Sequence, residues 1–534
     1  MGSLSSDKAA LTDDLRQSAA VQDEDEDSAF LRNAGGKLTL FPLVALIFYE
    51  VSGGPFGIEV AVKEAGPLLS IVGFLVFPIL WSVPEALLSA ELSTAMPENS
   101  GYVVWTTLAF GEFWGFQEGW WKWLSGVIDN SLYAILFLDY LMNAVPLFRA
   151  GVIRWVAACI LCGLMTYLNY RGLTIVGRTA MGLLVFSLCP FAVMAIMAVP
   201  KIAPRRWLHI PKKIGWAGYL NSLMWNLNYF DSASTLAGEV EKPKKIFPKA
   251  LFLAVILVVV TYVVPLMAGT GSIPYRRESW SDGSFATIAG IVGGQWLKIW
   301  IIVAAALSNI GLFEAEMSSD SFQLLGMAER GMLPKAFARR SQHNTPTLAI
   351  GCSATGIVLL SWLNFEEIVE LLNFLYCISM LVEFATFVQL RIKHPHLDRP
   401  FRVPLNTVGV ILMLVIPTII VLVLMSLASW MTMVVSGVGC LLGVVLCLFI
   451  KQAKKRGYCE FAVNPELPDL EEEASPHLLP VDSPTPQNGG VISSDKSSVK
   501  AEGGVPHSGN ESAETENPET ENPEGDTTPF LSSR

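Results

Sequence analysis

Acidic side chains fall inside long apolar stretches of this 534-residue chain: Glu50, Glu85, Asp129, Asp231, Glu314, Glu316 and Glu383. An unpaired carboxylate at the centre of a bilayer costs a few kcal/mol, so each needs a partner or a purpose. Lys122 is the clear basic residue at comparable depth. An excess of buried carboxylates wants a cation: an inorganic ion, a proton or a cationic substrate. Nothing in the sequence points to covalent chemistry. It shows no phosphate-binding glycine loop, no metal-ligand spacing and no paired nucleophile and base. No cofactor, metal or nucleic acid is expected, and an enzyme is the least supported class.

Two of these acids lie beside interruptions. Glu50 precedes Ser52-Gly53-Gly54-Pro55 in the apolar run Phe41–Lys63. The glycines disfavour continuous helix, and Pro55 lacks the donor that would bridge the break, though it suits the first turn of a new half-helix. Irregular backbone at membrane depth persists only where it is buried in protein or lines a wet cavity. The free carbonyls of the first half-helix, near Glu50, favour an ammonium. The amides of the second could hold a carboxylate, but Pro55 removes one of them, so the chemistry leans toward an amine without a carboxylate. The second interruption follows Trp225. There Asn226, Asn228, Asp231, Ser232 and Ser234 are poor lipid-facing residues and compete for backbone hydrogen bonds. Trp225 is either a gate or an aromatic wall beside a cation. Glu314 and Glu316 sit about 200° apart around a helix, so one faces the cavity and one packs or pairs elsewhere. Asp129, followed by Asn130, either lines the cavity or pairs with Lys122. Glu85 follows Pro84 and has a simpler reading as the group that satisfies a kink. The candidate substrate-binding residues are Glu50, Ser52, Gly53, Gly54, Asp129, Trp225, Asn228, Asp231, Glu314 and Glu316.

The elements that must hold these residues are long apolar helices. Hydrophobic residues make up 52% of the chain and charged residues 16%, the composition of a polytopic membrane protein. Twelve spans are expected, at 39–62, 68–92, 114–144, 152–170, 178–199, 214–238, 248–270, 295–325, 347–363, 367–391, 405–427 and 429–451. The interrupted spans, one and six, each open a set of five, and broken helices at matching positions mark an inverted repeat. The expected fold is all-α: a 5+5 inverted repeat, with spans eleven and twelve outside it. An even count puts both tails on one face. Lys- and Arg-rich loops at 171–178, 239–249, 326–346 and 391–404 place that face in the cytoplasm. Lys201, Arg205, Arg206, Lys212 and Lys213 lie on the other side.

The net charge of −11 hides a split. Residues 1–36 carry eight acids and three bases, and residues 460–534 carry sixteen acids and three bases, so the tails hold −18 and the body +7. A basic body suits anionic lipid. The expected divisions are a disordered acidic cytoplasmic tail over 1–37, a membrane domain over 38–452 and a second disordered acidic tail over 453–534. Cys159 and Cys162 form a CxxC within an apolar run and read as small buried hydrophobes. The polar, acidic start leaves insertion to the first span rather than to a cleaved signal.

Three stretches, WNLNY at Trp225–Tyr229, DSAS at Asp231–Ser234 and AGEVEKPKK at Ala237–Lys245, resemble the sixth span of the amino acid–polyamine–organocation transporters. The run ERGMLPKAFA at Glu329–Ala338, followed by Thr345 and Pro346, resembles the segment after their eighth span. Ser52–Gly57 occupies the place of that family's Gly-Ser-Gly break, and the resemblance covers roughly residues 38–452. The EVSGGPFGIE version, with YVVW after ENSG, is similar to the plant polyamine uptake transporters, a branch similar to L-type amino acid transporters. The resemblance implies a leucine-transporter-like fold. It also implies proton-coupled import of putrescine, spermidine, spermine and paraquat-like dications, at the plasma membrane with internal membranes as the alternative. By position, Asp231 matches the span-six acid of the bacterial arginine–agmatine and putrescine antiporters, and Trp225 their gating tryptophan. Glu316 falls near their span-eight gating tryptophan and would add a second anionic anchor, suited to a flexible polycation. Gly182 falls where several amino-acid members carry a span-five lysine. That leaves the coupling ion open, although a buried acid can carry a proton.

The expected function is secondary import of polyamines by alternating access. A small polycation, protons and the bilayer are the expected partners, and no segment specifies a protein partner. The nearest alternative is a proton-coupled amino-acid importer of the same fold. The alternative of another class is a receptor-like nutrient sensor signalling through its tails.

Overall fold

A computed structural model of the protein describes residues 37–142, 151–281, 283–360, 365–461, 463–464 and 467. The expected N-terminal tail lies outside the described residues except for Lys37, and the expected C-terminal tail lies outside them from residue 468 onward. Fifteen α-helices are present among the described residues. They are α1 (Leu40–Val51), α2 (Glu59–Leu80), α3 (Ser82–Ala95), α4 (Gly101–Phe110), α5 (Glu112–Met142), α6 (Gly151–Arg171), α7 (Leu173–Ala198) and α8 (Trp216–Leu227). After them come α9 (Pro243–Ser272), α10 (Ser284–Gly293), α11 (Gln295–Glu329), α12 (Thr347–Leu360), α13 (Phe365–Lys393), α14 (Thr407–Leu427) and α15 (Trp430–Arg456). The expected domain edge at 452 falls inside α15.

Eight stretches of described helix are long and apolar enough to cross a membrane. The other expected spans fall on shorter or more acidic helices, and the reason is local chemistry. Span one is cut at Ser52, so α1 is a twelve-residue half-helix. Span six is likewise cut after Leu227. The long α5 carries Glu118, Lys122 and Asp129 at buried positions. Gly66, at φ +79°, separates the second half of span one from span two within α2, and a Cβ there would meet Pro211 Cδ at 2.5 Å. The bend at Trp81 between α2 and α3 is flanked by Pro78 and Pro84, neither of which can donate to the helix ladder.

The pair α5 and α11 forms the centre, with α7, α12 and α13 packed against it. Small residues allow close approach, as usual between membrane helices. A Cβ on Gly311 would lie 2.5 Å from the Tyr49 ring of α1. Helices α14 and α15 lie outermost and present apolar side chains such as Leu412, Leu441 and Phe449 outward, as a lipid-facing surface would.

The face where the chain enters α1 and leaves α15, the tail face, is closed. Leu38 pairs with Val240, and Asn99 with Leu236, through isolated backbone bridges. Arg330 clamps Glu98 with both arms, its Nε lying 2.9 Å from Oε2. Arg340 contacts Glu239 at 2.7 Å and Glu329 at 3.4 Å. Below this seal Tyr102 OH donates to Gln323 Oε1 at 2.6 Å.

Glu91 fastens α3 to α13. Arg391 donates to its Oε2, Arg399 Nε lies 3.0 Å from Oε1, and Val403 N–H reaches Oε2 at 2.9 Å. All three charged side chains are buried. Removing one member leaves a buried charge short of compensation, which costs roughly 3 kcal/mol. Arg391→Met is therefore expected to lower the melting temperature of the detergent-purified protein clearly; an unchanged melt would show that this triad does not hold α3 to α13.

Candidate functional site

Each break is held by protein groups, as backbone at membrane depth requires. Ser52 N–H donates to Phe48 O at 2.7 Å, ending α1, and Ser52 Oγ accepts from Gly54 N–H at 3.1 Å. Gly53 O accepts from Ser308 Oγ of α11. Gly54 and Gly57 adopt φ of +94° and +82°, a region costly for any side chain. At Gly57 a Cβ would also lie 2.3 Å from the Trp225 ring. The second break runs from Asn228 to Lys242 through two short 3₁₀ turns. Ser82 Oγ donates to Leu227 O at 2.7 Å. Tyr229, at φ +71°, donates its N–H to Tyr376 OH at 3.1 Å.

Between the breaks lies a cavity of about 40 Å³ whose walls include Glu50, Ser52, Gly53, Asp129, Trp225 and Asn309. At about 10–15 Å³ per water it has room for a few waters. No Lys, Arg or His is among its described lining residues. Glu50, in the last turn of α1, accepts from Ser319 Oγ. Asp129 of α5 accepts from Trp225 Nε1 at 3.1 Å and from Tyr133 OH at 3.0 Å. Glu316 and Asp320, one turn apart on α11, lie behind this wall within electrostatic reach of Glu50 and Asp129. Glu316 Oε2 and Asp320 Oδ2 are buried without a hydrogen-bond partner. Gly126 of α5 makes the room, since a Cβ there would lie 2.3 Å from Asp320 Oδ1.

Four carboxylates thus gather on one side of the breaks with no neighbouring base among the cavity walls. A second group, on the other side, is built around Lys122. Its ammonium binds Asp231 Oδ2, lies 2.9 Å from Glu383 Oε1, and sits 3.9 Å from the centre of the Tyr376 ring. Glu85 and Glu118 complete that group.

The structure brings together five of the sequence candidates, Glu50, Ser52, Gly53, Asp129 and Trp225, on the cavity wall. Glu316 is not among its described lining residues but lies within electrostatic reach of Glu50 and Asp129. Four others are placed elsewhere. Asp231, the residue expected to face a substrate ammonium, meets the Lys122 ammonium instead, and Lys122 pairs with it rather than with Asp129, whose donors are Trp225 and Tyr133. Glu314 turns to α6, where Asn169 Nδ2 donates to its Oε2 at 2.8 Å. Asn228 is fully buried, its amide able to donate to Met224 O and Trp225 O at 3.1 Å, and it closes the end of α8. Gly54 lies beside Phe56 and Leu188. Asp320 and Tyr133 were missed. Both follow a named acid by four residues, the spacing that puts two side chains on one helix face.

Comparison with known proteins gives the lineage. The amino acid permease family matches residues 38–446. The chain is 59% identical over 428 residues to a probable polyamine transporter of Arabidopsis thaliana, covering 80% of this chain and 89% of that one. It is 55% identical over 439 residues to the polyamine transporter RMV1 of Arabidopsis thaliana, covering 82% and 90%. It is 56% identical over 434 residues to the polyamine transporter PUT1 of Oryza sativa subsp. japonica, covering 81% and 82%.

The contact of Gly57 with the indole is testable. Gly57→Ala should push Trp225 off Asp129 and lower tracer uptake per molecule at the membrane about tenfold, the equivalent of roughly 1.4 kcal/mol. Uptake at the unsubstituted level would mean that the indole can move without consequence.

Proposed function

The chain belongs to the amino acid permease family, and from that premise we propose that it is a secondary, proton-coupled importer of polyamines and similar organic dications. The observation that carries the substrate class is the cavity wall: Glu50 and Asp129 line it, Glu316 and Asp320 back it, and no described basic side chain answers them there. Carboxylates so arranged need cations, and acids at successive depths suit a chain with several ammonium groups better than a single amine. The identities of 52–59% to proteins named as polyamine transporters or probable polyamine transporters support the same reading.

In this reading one ammonium binds between Glu50, the carbonyl end of α1 and Asp129. Trp225 covers it with its ring, and a second ammonium reaches toward Glu316 and Asp320. The cavity is too small for an extended polyamine, so binding must widen it. Ten helices would form the 5+5 inverted repeat, with α14 and α15 outside it, and one group would rock against the other to expose the site alternately. Both tails would lie in the cytosol and the protein in the plasma membrane, with the basic loops of the tail face against anionic lipid.

Glu50→Gln is expected to raise the spermidine KM at least about tenfold, the usual scale for one lost charge-assisted contact. Glu314→Gln, which alters a carboxylate turned to Asn169, should leave uptake per molecule near normal. The substrate class is wrong if neutral amino acids compete for labelled spermidine uptake and unlabelled polyamines do not.

A further inference from the structure

The second buried acid group has a hydrogen-bond arithmetic of its own. Tyr376 OH lies 2.7 Å from Asp231 Oδ1 and 2.8 Å from Glu85 Oε1, and it accepts from Tyr229 N–H at 3.1 Å. A phenol has one hydrogen to give. It cannot donate to two carboxylate oxygens at once, so one of the two carboxyls must bring a hydrogen of its own. Asp231 is held as the anion by Lys122. The hydrogen therefore belongs to Glu85, which donates to the phenol oxygen while the phenol donates to Asp231. Glu85 Oε1 also receives Asp231 N–H at 3.3 Å, and its Oε2 is buried without a partner.

We propose that Glu85 carries the coupled proton, shared through Tyr376 with Asp231. This rests on the reading of the protein as a proton-coupled transporter and assigns that proton to a site apart from the substrate acids. Three helices and the unwound segment bring titratable groups to the cluster around Glu85. The unwound segment gives Asp231 and Tyr229, α13 gives Tyr376, Cys377 and Glu383, α5 gives Glu118 and Lys122, and α4 gives Tyr102. Tyr262 of α9 turns to Phe74 and Ser52, and α14 has no titratable residue. One ammonium faces four carboxyls, and adjacent carboxyls cannot all ionise together.

The link to movement is Asp231 itself. It lies on the same unwound segment as Leu236 and Val240, whose bridges to Asn99 and Leu38 close the tail face. Opening that face separates those bridges and displaces Asp231 from Tyr376. Tyr376 then loses the acceptor of its own hydrogen and turns that hydrogen to Glu85, which gives its proton to water on the tail side and is left a carboxylate accepting from the phenol. The resulting carboxylate takes a proton from the opposite side when the segment returns.

The test uses the purified full chain in liposomes with labelled spermidine, read in two modes: accumulation driven by an acid-outside gradient, and exchange against internal spermidine at equal pH. Unsubstituted protein should accumulate under the gradient; if it does not, the coupling reading itself fails, and the proposal with it. Glu85→Gln should lose the gradient stimulation at least tenfold and keep exchange. Retained stimulation would overturn the assignment while leaving coupling intact. Should Glu85→Gln fail to exchange because it misfolds, Tyr376→Phe decides. It removes only the hydroxyl, and the external pH for half-maximal accumulation should move to more acid values. An unmoved pH profile overturns the proposal.

Discussion

A carboxylate below the membrane surface must be given a cation, a proton or a set of donors, and this fold answers that demand in two different ways. On one side of the breaks Lys122 supplies an internal ammonium to Asp231 and Glu383. On the other, among the described residues Glu50 and Asp129 receive neutral donors only, from Ser319, Trp225 and Tyr133, and the nearby Glu316 and Asp320 each have an oxygen without a hydrogen-bond partner. Neutral donors offset part of the desolvation cost and no more. That second side is the place where an incoming cation gains most. The distinction rests on a single lysine one helix turn from Gly126, where the backbone narrows to admit Asp320.

The breaks make this arrangement affordable in backbone terms. A continuous α1 would spend its carbonyls on its own ladder, whereas the interruption leaves carbonyl ends and amides facing the space between the helices. The chain satisfies what it buries: Ser308 donates to Gly53 O, Ser82 to Leu227 O, and the Tyr376 oxygen takes Tyr229 N–H. Each of these supports comes from a different helix. The breaks are thereby fixed relative to α11, α3 and α13, and any movement of those helices is felt at the site.

Much of this was legible in the sequence. The glycines and Pro55 announced the first break, the run of Asn, Asp and Ser after Trp225 announced the second, and the buried acids stood out against apolar surroundings. The helical angle between Glu314 and Glu316 sends them to different neighbours: Glu316 lies within electrostatic reach of Asp129 and Glu50, Glu314 meets Asn169, and neither is among the described lining residues of the cavity. Helical spacing could equally have found Asp320. The pairing of Lys122 was not legible. Its position in the sequence is equally consistent with Asp129, seven residues on, and with Asp231, more than a hundred residues away. Choosing between them needs the direction in which that face of α5 points, which tertiary packing sets. Asn228 misled because a polar residue at a break serves equally well to cap a helix end or to bind a ligand.

In the proposed cycle the tail-face seal must hold and also release, and its chemistry suits that double task. Burial pushes the Glu98 carboxyl above its ordinary range even with Arg330 drawing it the other way. Closing the clamp therefore desolvates a carboxylate and a guanidinium for a pairing whose gain nearly cancels that penalty, so the net contribution to stability is close to zero. An apolar plug of the same area would gain free energy with every methylene buried and would favour one state strongly. An ion-pair seal keeps two arrangements close in free energy, which is the condition under which a ligand's modest preference can shift the population from one to the other. The Arg340 contacts to Glu239 and Glu329 follow the same pattern, half-buried and shared between two acids. Because Glu239 lies on the unwound segment that also carries Asp231, the seal and the Lys122 group are parts of one continuous stretch of chain. In the proposed cycle the state of either one is set in part by the other.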